Sequence, residues 1–557
     1  MIKKKINLVL IGLIFMLPII STAQSKNKKE SNSKTPFVWE GANLYFLMTD
    51  RFCNGNPKKE IYFNRTKPTA KLRGFEGGNL RGIIQKIDEG YFDLLGVNVI
   101  WFTPIVEQIH DGVDEGTGLT YGFHGYWTRD WTALDPNFGT KKDLAELVEK
   151  AHAKGIRIML DGVVNHTGPV TEVDTVWPSD WVRTEPQCKY DNYKNTTACT
   201  LVKNLPDVLT ESEKEVELPG FLIEKWKAEG RERQEVISLD AFFKRTELPR
   251  TPRNYIIKWL TDYIAEFGID GYRVDTVKHV EENVWTEFKT QCDYAFAQWK
   301  KNNPTKVLDE NPFYTIGEVY NYGISGGQDF DFGNKKVNYF QHGFNSLINF
   351  EFKWNAAQLN FDKLFTKYSI QLQEALKGHS VLNYISSHDD GKPFDAAREK
   401  PYESGTLLLL SPGISQIYYG DETARSLVVP GTEGDATLRS FMNWEDVASN
   451  PETKKILNHW QKLGQFRKNH PAVGAGIHAQ ITQRPYTFSR IYNKDNYQDQ
   501  VVVGLELNAG EKQISVGNVF KNGSKVRDAY SGKTAVVQDG KVKINTEYEL
   551  LLLEAQK

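Results

Sequence analysis

The stretch Gly271-Tyr-Arg-Val-Asp-Thr-Val-Lys-His279 sets a guanidinium, a carboxylate, an ammonium and an imidazole within one short span. Side chains alternate faces along a strand, so Arg273 and Asp275 project the same way. A guanidinium beside a carboxylate holds it ionised, the state a carboxylate nucleophile needs. Taken alone, an R-x-D pair is more often a solvated ion pair at a strand end. Its company decides otherwise. Asp161-Gly-Val-Val-Asn165-His166, Ile316-Gly317-Glu318 and Ser386-Ser387-His388-Asp389 also close apolar runs and add carboxylates and imidazoles. Carboxylates from several strand ends, with two imidazoles and an arginine, suit glycoside hydrolysis, where one acid is ionised and another protonated near neutral pH.

The elements that must position these groups read as alternating strands and helices, the pattern of a parallel sheet. Candidate strands are Leu44–Met48, Val97–Phe102, Arg157–Val164, Gly271–Val274, Tyr314–Val319, Leu347–Phe352, Val381–Ser386 and Gln416–Tyr419. Helical patterns fall at Leu80–Leu95, Lys141–Lys154, Tyr255–Phe267 and Asp362–Leu376. Eight such units predict an α/β fold, a (β/α)8 TIM barrel spanning 37–470, with the reactive residues at strand C-terminal ends. A polar insertion after the third strand, 166–248, is too long for a structureless loop and reads as a small subdomain. From 471 to 557 short strands with Asn-Gly, Ser-Gly and Asp-Gly turns predict an all-β sandwich domain. These strands include Ile477–Tyr492, Val501–Leu507, Ile514–Val519 and Tyr548–Leu553.

The 557 residues carry a net charge of -2, which gives no reason to expect nucleic acid or an anionic membrane as partner. Residues 1–23 read as a cleavable export signal: Lys3-Lys4-Lys5, an apolar run to Ile20, then Ser21-Thr22-Ala23. Residues 24–36 read as a flexible lead-in. The mature chain is expected to be exported, to periplasm or medium, with no membrane anchor. Export permits disulfides. Cys188 and Cys199 flank a short polar segment and can staple a loop, Cys53 and Cys292 are too far apart in sequence to judge, and none shows zinc spacing.

Taken in order, these segments resemble glycoside hydrolase family 13, the α-amylase family, and most of all its bacterial periplasmic members. Asp161–His166, Gly271–His279, Gly317-Glu318-Val319 and His388-Asp389 are similar to the family's four signature regions. Leu205-Pro-Asp-Val208 resembles its domain B motif, Tyr121-Gly-Phe-His-Gly-Tyr-Trp127 its sugar-contacting loop, and Gly413–Glu422 its eighth-strand motif. The resemblance implies Asp275 as nucleophile, Glu318 as general acid and then base, and Asp389 as stabiliser of an oxocarbenium-like transition state. It implies that Arg273 orients Asp275, that His166 and His388 donate to sugar hydroxyls, and that Tyr126 stacks under the sugar. His124, Trp127, Lys278 and His279 complete the implied substrate contacts, and Asp161 is structural support. For His124 packing is an equal alternative, and plain core is an alternative for Trp127; Trp177 and Trp181 read as hydrophobic anchors.

The resemblance also implies calcium, held by Asn165, Asp207 and the His279 carbonyl, an oxygen set that suits this ion. A second calcium loop would fall at Asn54, Asn56, Gly77 and Asn79, where missing carboxylates imply weaker binding. The implied activity is retaining, endo-acting hydrolysis of α-1,4 bonds in starch, glycogen or maltodextrins by a monomer. The alternatives are an α-glucan transglycosylase, a neopullulanase-like enzyme, or an inactive starch-binding protein on the same scaffold.

Overall fold

Short runs rich in Val, Ile, Leu and aromatics bury both faces, as parallel strands flanked by helices must. Eight of them close a barrel in the computed structural model, which describes residues 35–57, 60–517 and 519–556. The expected export signal and most of the lead-in lie outside the described residues. All that follows belongs to one compact unit, Phe37–Lys557.

The barrel strands are β1 (Asn43–Leu47), β2 (Val99–Phe102), β3 (Arg157–Gly162), β4 (Gly271–Val274), β5 (Tyr314–Gly317), β6 (Ser346–Asn349), β7 (Ser380–Tyr384) and β8 (Ile414–Tyr418). Each pairs in parallel with its sequence neighbours, and β8 closes on β1. The eight expected strands are all present, shifted at their ends by up to three residues. Local chemistry explains the helices between them. Lys141–Ala153 starts at a reciprocal cap in which Thr140 and Asp143 satisfy each other's amides. Pro252–Phe267 opens on a proline and stops at Gly268, whose φ of 71° only glycine adopts freely. The helix expected over Leu80–Leu95 is broken: Gly90 at φ 77° separates Leu80–Asp88 from Tyr91–Leu94.

Between β3 and the Pro252 helix the insertion folds as a two-stranded ribbon, Val182–Arg183 with Asp207–Val208, followed by helices Gly220–Ala228 and Glu232–Thr246. A Cys188–Cys199 disulfide closes its loop, while Cys53 and Cys292 are free and buried. Trp177 and Trp181 are buried with Trp259 and Tyr255, so they anchor the insertion to the barrel.

At the C-terminal end a six-stranded antiparallel sheet faces a two-stranded antiparallel sheet of Gly510–Ser515 and Lys541–Thr546. Val502, Ile514, Val542, Ile544 and Leu551 fill the space between them. The strand expected over Ile477–Tyr492 is a hairpin, Ile477–Thr482 and Tyr486–Lys494, because Pro485 has no N–H for the ladder. His470, after the helix Pro451–Asn469, clasps this domain through Asp499 (2.8 Å) and Glu554 (2.7 Å).

Candidate active site

Strand register assembles the rim. Arg273 on β4 lies directly opposite Asp161 on β3, and Val274 lies opposite Gly317, the residue before Glu318. Such close strands need Gly271: a Cβ there would stand 2.5 Å from the Tyr314 carbonyl oxygen. Past Asp275 the chain turns sharply through Thr276 at φ 49°, a costly conformation for a β-branched residue. That turn aims the Thr276 N–H at Glu318 Oε2, 3.0 Å away.

Arg273 is the hub. Its Nη1 donates to Asp161 Oδ1 at 2.9 Å and to Asp275 Oδ1 at 2.7 Å, and its Nη2 is 2.9 Å from Glu318 Oε2. Asp161 also accepts from the Tyr126 hydroxyl (2.8 Å) and from Trp101 Nε1 (3.1 Å). The Arg273 side chain is 1% exposed, so these pairs sit in a low dielectric. Asp389, in the loop after β7, opens to the cleft and accepts from Ser387 Oγ at 2.7 Å. Glu318, Asp389, His388, Arg273, Tyr384 and Trp101 line one cavity.

Burial pushes the Glu318 carboxyl up to about 8, with Arg273 opposing and Asp275 and Asp389 adding to the rise. Burial also raises Asp275, against Arg273, and lifts Asp161 to about 6. Asp389 is held below the usual carboxylate range: burial raises it, but His388, the Ser387 hydroxyl and two arginines outweigh that. The rim thus holds a protonated acid, Glu318, beside an ionised Asp389 at neutral pH. This division of labour lets one site protonate a leaving group and stabilise positive charge.

Around the hub, Tyr126 stacks on His388 with ring centroids 5.3 Å apart. Burial holds His388 and His166 neutral, near 4. His166 Nε2 is 3.1 Å from the Tyr126 carbonyl oxygen, so it braces that loop. His124 accepts the Tyr126 N–H at 3.1 Å and is kept neutral by burial and by Arg439. Trp127 is not brought to the rim: its ring is buried with Ile109 and Leu205, where an indole gains more than at a wet cleft. Lys278 sits between two half-exposed rings, Tyr320 (5.2 Å) and Tyr190 (5.9 Å). The His279 imidazole turns away, onto the Thr196 carbonyl at 2.9 Å. Tyr190, Tyr320 and Arg439, which donates to the His388 carbonyl at 2.9 Å, went unread in the sequence. Tyr320 alone had a local signal, two residues past Glu318.

The two expected cation positions differ. One terminal atom of the Asn165 carboxamide lies 3.0 Å from the His279 carbonyl oxygen and 3.2 Å from Asp207 Oδ1. With its oxygen in that place, three oxygens converge. Oxygens about 2.4 Å from one cation and about 80° apart at it lie about 3.1 Å from each other, so the residues fit a calcium ion. Asp207 is buried and its other oxygen is 2.7 Å from Arg183 Nε. In the second loop the residues do not fit. Asn79 Nδ2 stands in the middle, donating to the Gly77 carbonyl (2.9 Å) and to Asn54 Oδ1 (3.2 Å). Its orientation is set from the other side, where Asn79 Oδ1 accepts from Gly82 N at 3.1 Å. Asn56 donates its backbone N–H to Asn54 Oδ1 at 2.9 Å.

An eight-stranded barrel whose strand ends meet in paired carboxylates defines the class: a (β/α)8-barrel glycoside hydrolase. The family model described as "Alpha amylase, catalytic domain" matches residues 46–476. A periplasmic α-amylase of Escherichia coli is 35% identical over 526 residues, covering 84% of this chain and 73% of its own length. The chain belongs to the α-amylase family. A cyclomaltodextrin glucanotransferase of Thermoanaerobacterium thermosulfurigenes is 27% identical, over 81% of this chain and 58% of its own. Among solved structures, the α-amylase of Geobacillus thermoleovorans in complex with acarbose superposes with a TM-score of 0.65 at 21% identity, covering 94% of this chain and all of its own, which shows the shared fold.

Proposed function

We propose that the chain is a retaining, endo-acting α-amylase that hydrolyses α-1,4 bonds in starch, glycogen or maltodextrins. One observation carries this reading: a single guanidinium, Arg273, touches both Asp275 and Glu318. One planar group spanning two carboxyls suits the closer spacing, about 5 Å, of retaining enzymes. Asp275 Oδ attacks the anomeric carbon while Glu318 gives its proton to the departing glycosidic oxygen. Glu318, now ionised, takes a proton from water, which attacks the same carbon and releases Asp275. Asp389 faces the charge that develops on the sugar ring, and Tyr126 and His388 border the same cleft.

The reading includes one calcium ion held by Asn165, Asp207 and the His279 carbonyl. Bound there it would cross-link the insertion to the β4 loop; it supplies no step of the reaction. Export to the periplasm or medium is supported by the leader-like residues 1–23 and by the disulfide, and among the described residues no helix is long and apolar enough to cross a membrane. The site draws every residue from one chain, so a monomer suffices.

The test is product analysis on amylose, with native protein beside Asp275→Asn. Mixed short maltodextrins released as α-anomers, and lost in the variant, support the proposal. Cyclic products would move the chain toward the glucanotransferases found among its relatives. Starch binding without turnover would overturn the hydrolase reading.

A further inference from the structure

Asp389 is followed by a second acid, Asp390, and the two point apart. The Asp389 side chain is 39% exposed toward the cleft, whereas Asp390 is 15% exposed and turned back into the protein. Asp390 Oδ2 accepts from the Lys353 ammonium and from the Tyr384 hydroxyl at 2.6 Å, and Oδ1 accepts from Lys392 N at 3.2 Å. Lys353 comes from the first turn of the helix Phe352–Gln358, just after β6. Its side chain is 5% exposed and its ammonium lies 4.7 Å from the Trp354 ring. Tyr384 lines the same cavity as Glu318 and Asp389.

We propose that Lys353 and Asp390 are a positioning pair for Asp389, an inference that rests on the role of Asp389 given above. Adjacent carboxylates repel, so which of the two faces the cleft has to be fixed. The buried ammonium decides it, because Asp390 pays its desolvation only when paired there. With Asp390 held, Ser387 Oγ on one side and Arg439 under the His388 carbonyl leave Asp389 one direction, toward substrate. Without Lys353 an uncompensated charge is buried one residue from Asp389, and the loop must turn to hydrate it. A misplacement of about 1 Å in a catalytic group costs up to about 100-fold in rate.

The experiment is a double-variant cycle in the full chain: Lys353→Met, Asp390→Asn and both together, with maltoheptaose as substrate. Lys353→Met is expected to lower kcat by about 10- to 100-fold with KM within about 3-fold. The double variant, which removes both charges, should recover to within about 5-fold of native. A general packing role predicts the opposite, with the double variant at least as impaired as the single. That result, or a native kcat in Lys353→Met, overturns the proposal. Lys353→Arg keeps the charge and should retain activity if the methionine variant fails to fold. A crystal structure of Lys353→Met decides the matter without turnover: Asp389 turned from the cleft supports the pairing, and an unmoved Asp389 sinks it. A native chain that cleaves no α-glucan would count against the amylase reading alone.

Discussion

Replacing Glu318 by Gln should cost activity and add stability, and the added stability should depend on pH in one direction only. The Glu318 carboxyl is pushed up to about 8 from an ordinary value of 4.5, chiefly by burial. The folded state therefore holds a proton that the unfolded chain releases, so stability falls as pH rises from 4.5 toward 8. At about 1.4 kcal/mol per pH unit the full effect is roughly 5 kcal/mol. Arg273 and Asp275 share the site with Glu318, so a realised effect of about 2–5 kcal/mol is expected. Unfolding entropy for Phe37–Lys557 is about 1 kcal/mol per kelvin, which converts this to a Tm gain of about 2–5 °C. Below about 8 the protonated Glu318 is as uncharged as Gln, and the pull of Arg273 on the ionised form is already contained in the value of about 8. The measurement is the Tm difference between Glu318→Gln and native protein from pH 5 to 9, beside kcat on amylose. The difference should climb with pH and level off above about 8, while kcat falls by about 100- to 10,000-fold. A difference that is flat or falls with pH would refute the assignment of the proton to Glu318.

Three further outcomes follow from the same geometry. His470 is raised to about 9: burial lowers it, but Asp499 and Glu554 more than reverse this. Its stabilisation is full below pH 6.5 and lost as pH rises through 9, so His470→Gln should lower Tm by about 3 °C at pH 6 and by nothing at pH 10, read by thermal melts. Asp207→Asn removes the one carboxylate of the proposed calcium site; native protein should lose Tm on chelation, and the variant should show no calcium response in melts or titration calorimetry. Asn79→Asp removes the amide that closes the second loop and should create a calcium-dependent Tm gain that native protein lacks in that loop, visible as one extra bound metal by elemental analysis.

The barrel was legible because its strands are apolar on both faces and its helices carry their own stop signals, as at Gly268. Where reading failed, one residue had changed the backbone rule: Gly90 split a helix and Pro485 split a strand. Both residues are visible in sequence, but only packing decides whether a glycine inside an apolar period is tolerated or turns the chain. Arg273, Asp161, Asp275 and Glu318 were legible as rim residues because each closes an apolar run. Trp127 stayed open between core and sugar contact for the converse reason, and it packs with Ile109 and Leu205. An indole beside sugar-contacting residues has the same local pattern whether it faces the cleft or Leu205. Lys353 and Asp390 were silent because their meaning is a contact between the helix after one strand and the loop after the next.

Charge balance at the rim explains why the roles divide as they do. Three carboxyls, Asp161, Asp275 and Glu318, touch one guanidinium and Asp389 lines the same cavity, and they cannot all be ionised in so dry a place. The proton goes where ionisation is least supported. Asp161 has Arg273, Tyr126 and Trp101; Asp275 has the shortest bond to Arg273; Asp389 has a serine hydroxyl and opens to water. Glu318 shares what remains of the guanidinium with one backbone N–H. Asp161, which reads in sequence as mere support, therefore acts on the acid as well. By drawing on the same guanidinium, its ionised form keeps Glu318 protonated, and Asp161→Asn should lower the alkaline limb of kcat/KM even though Asp161 never meets substrate.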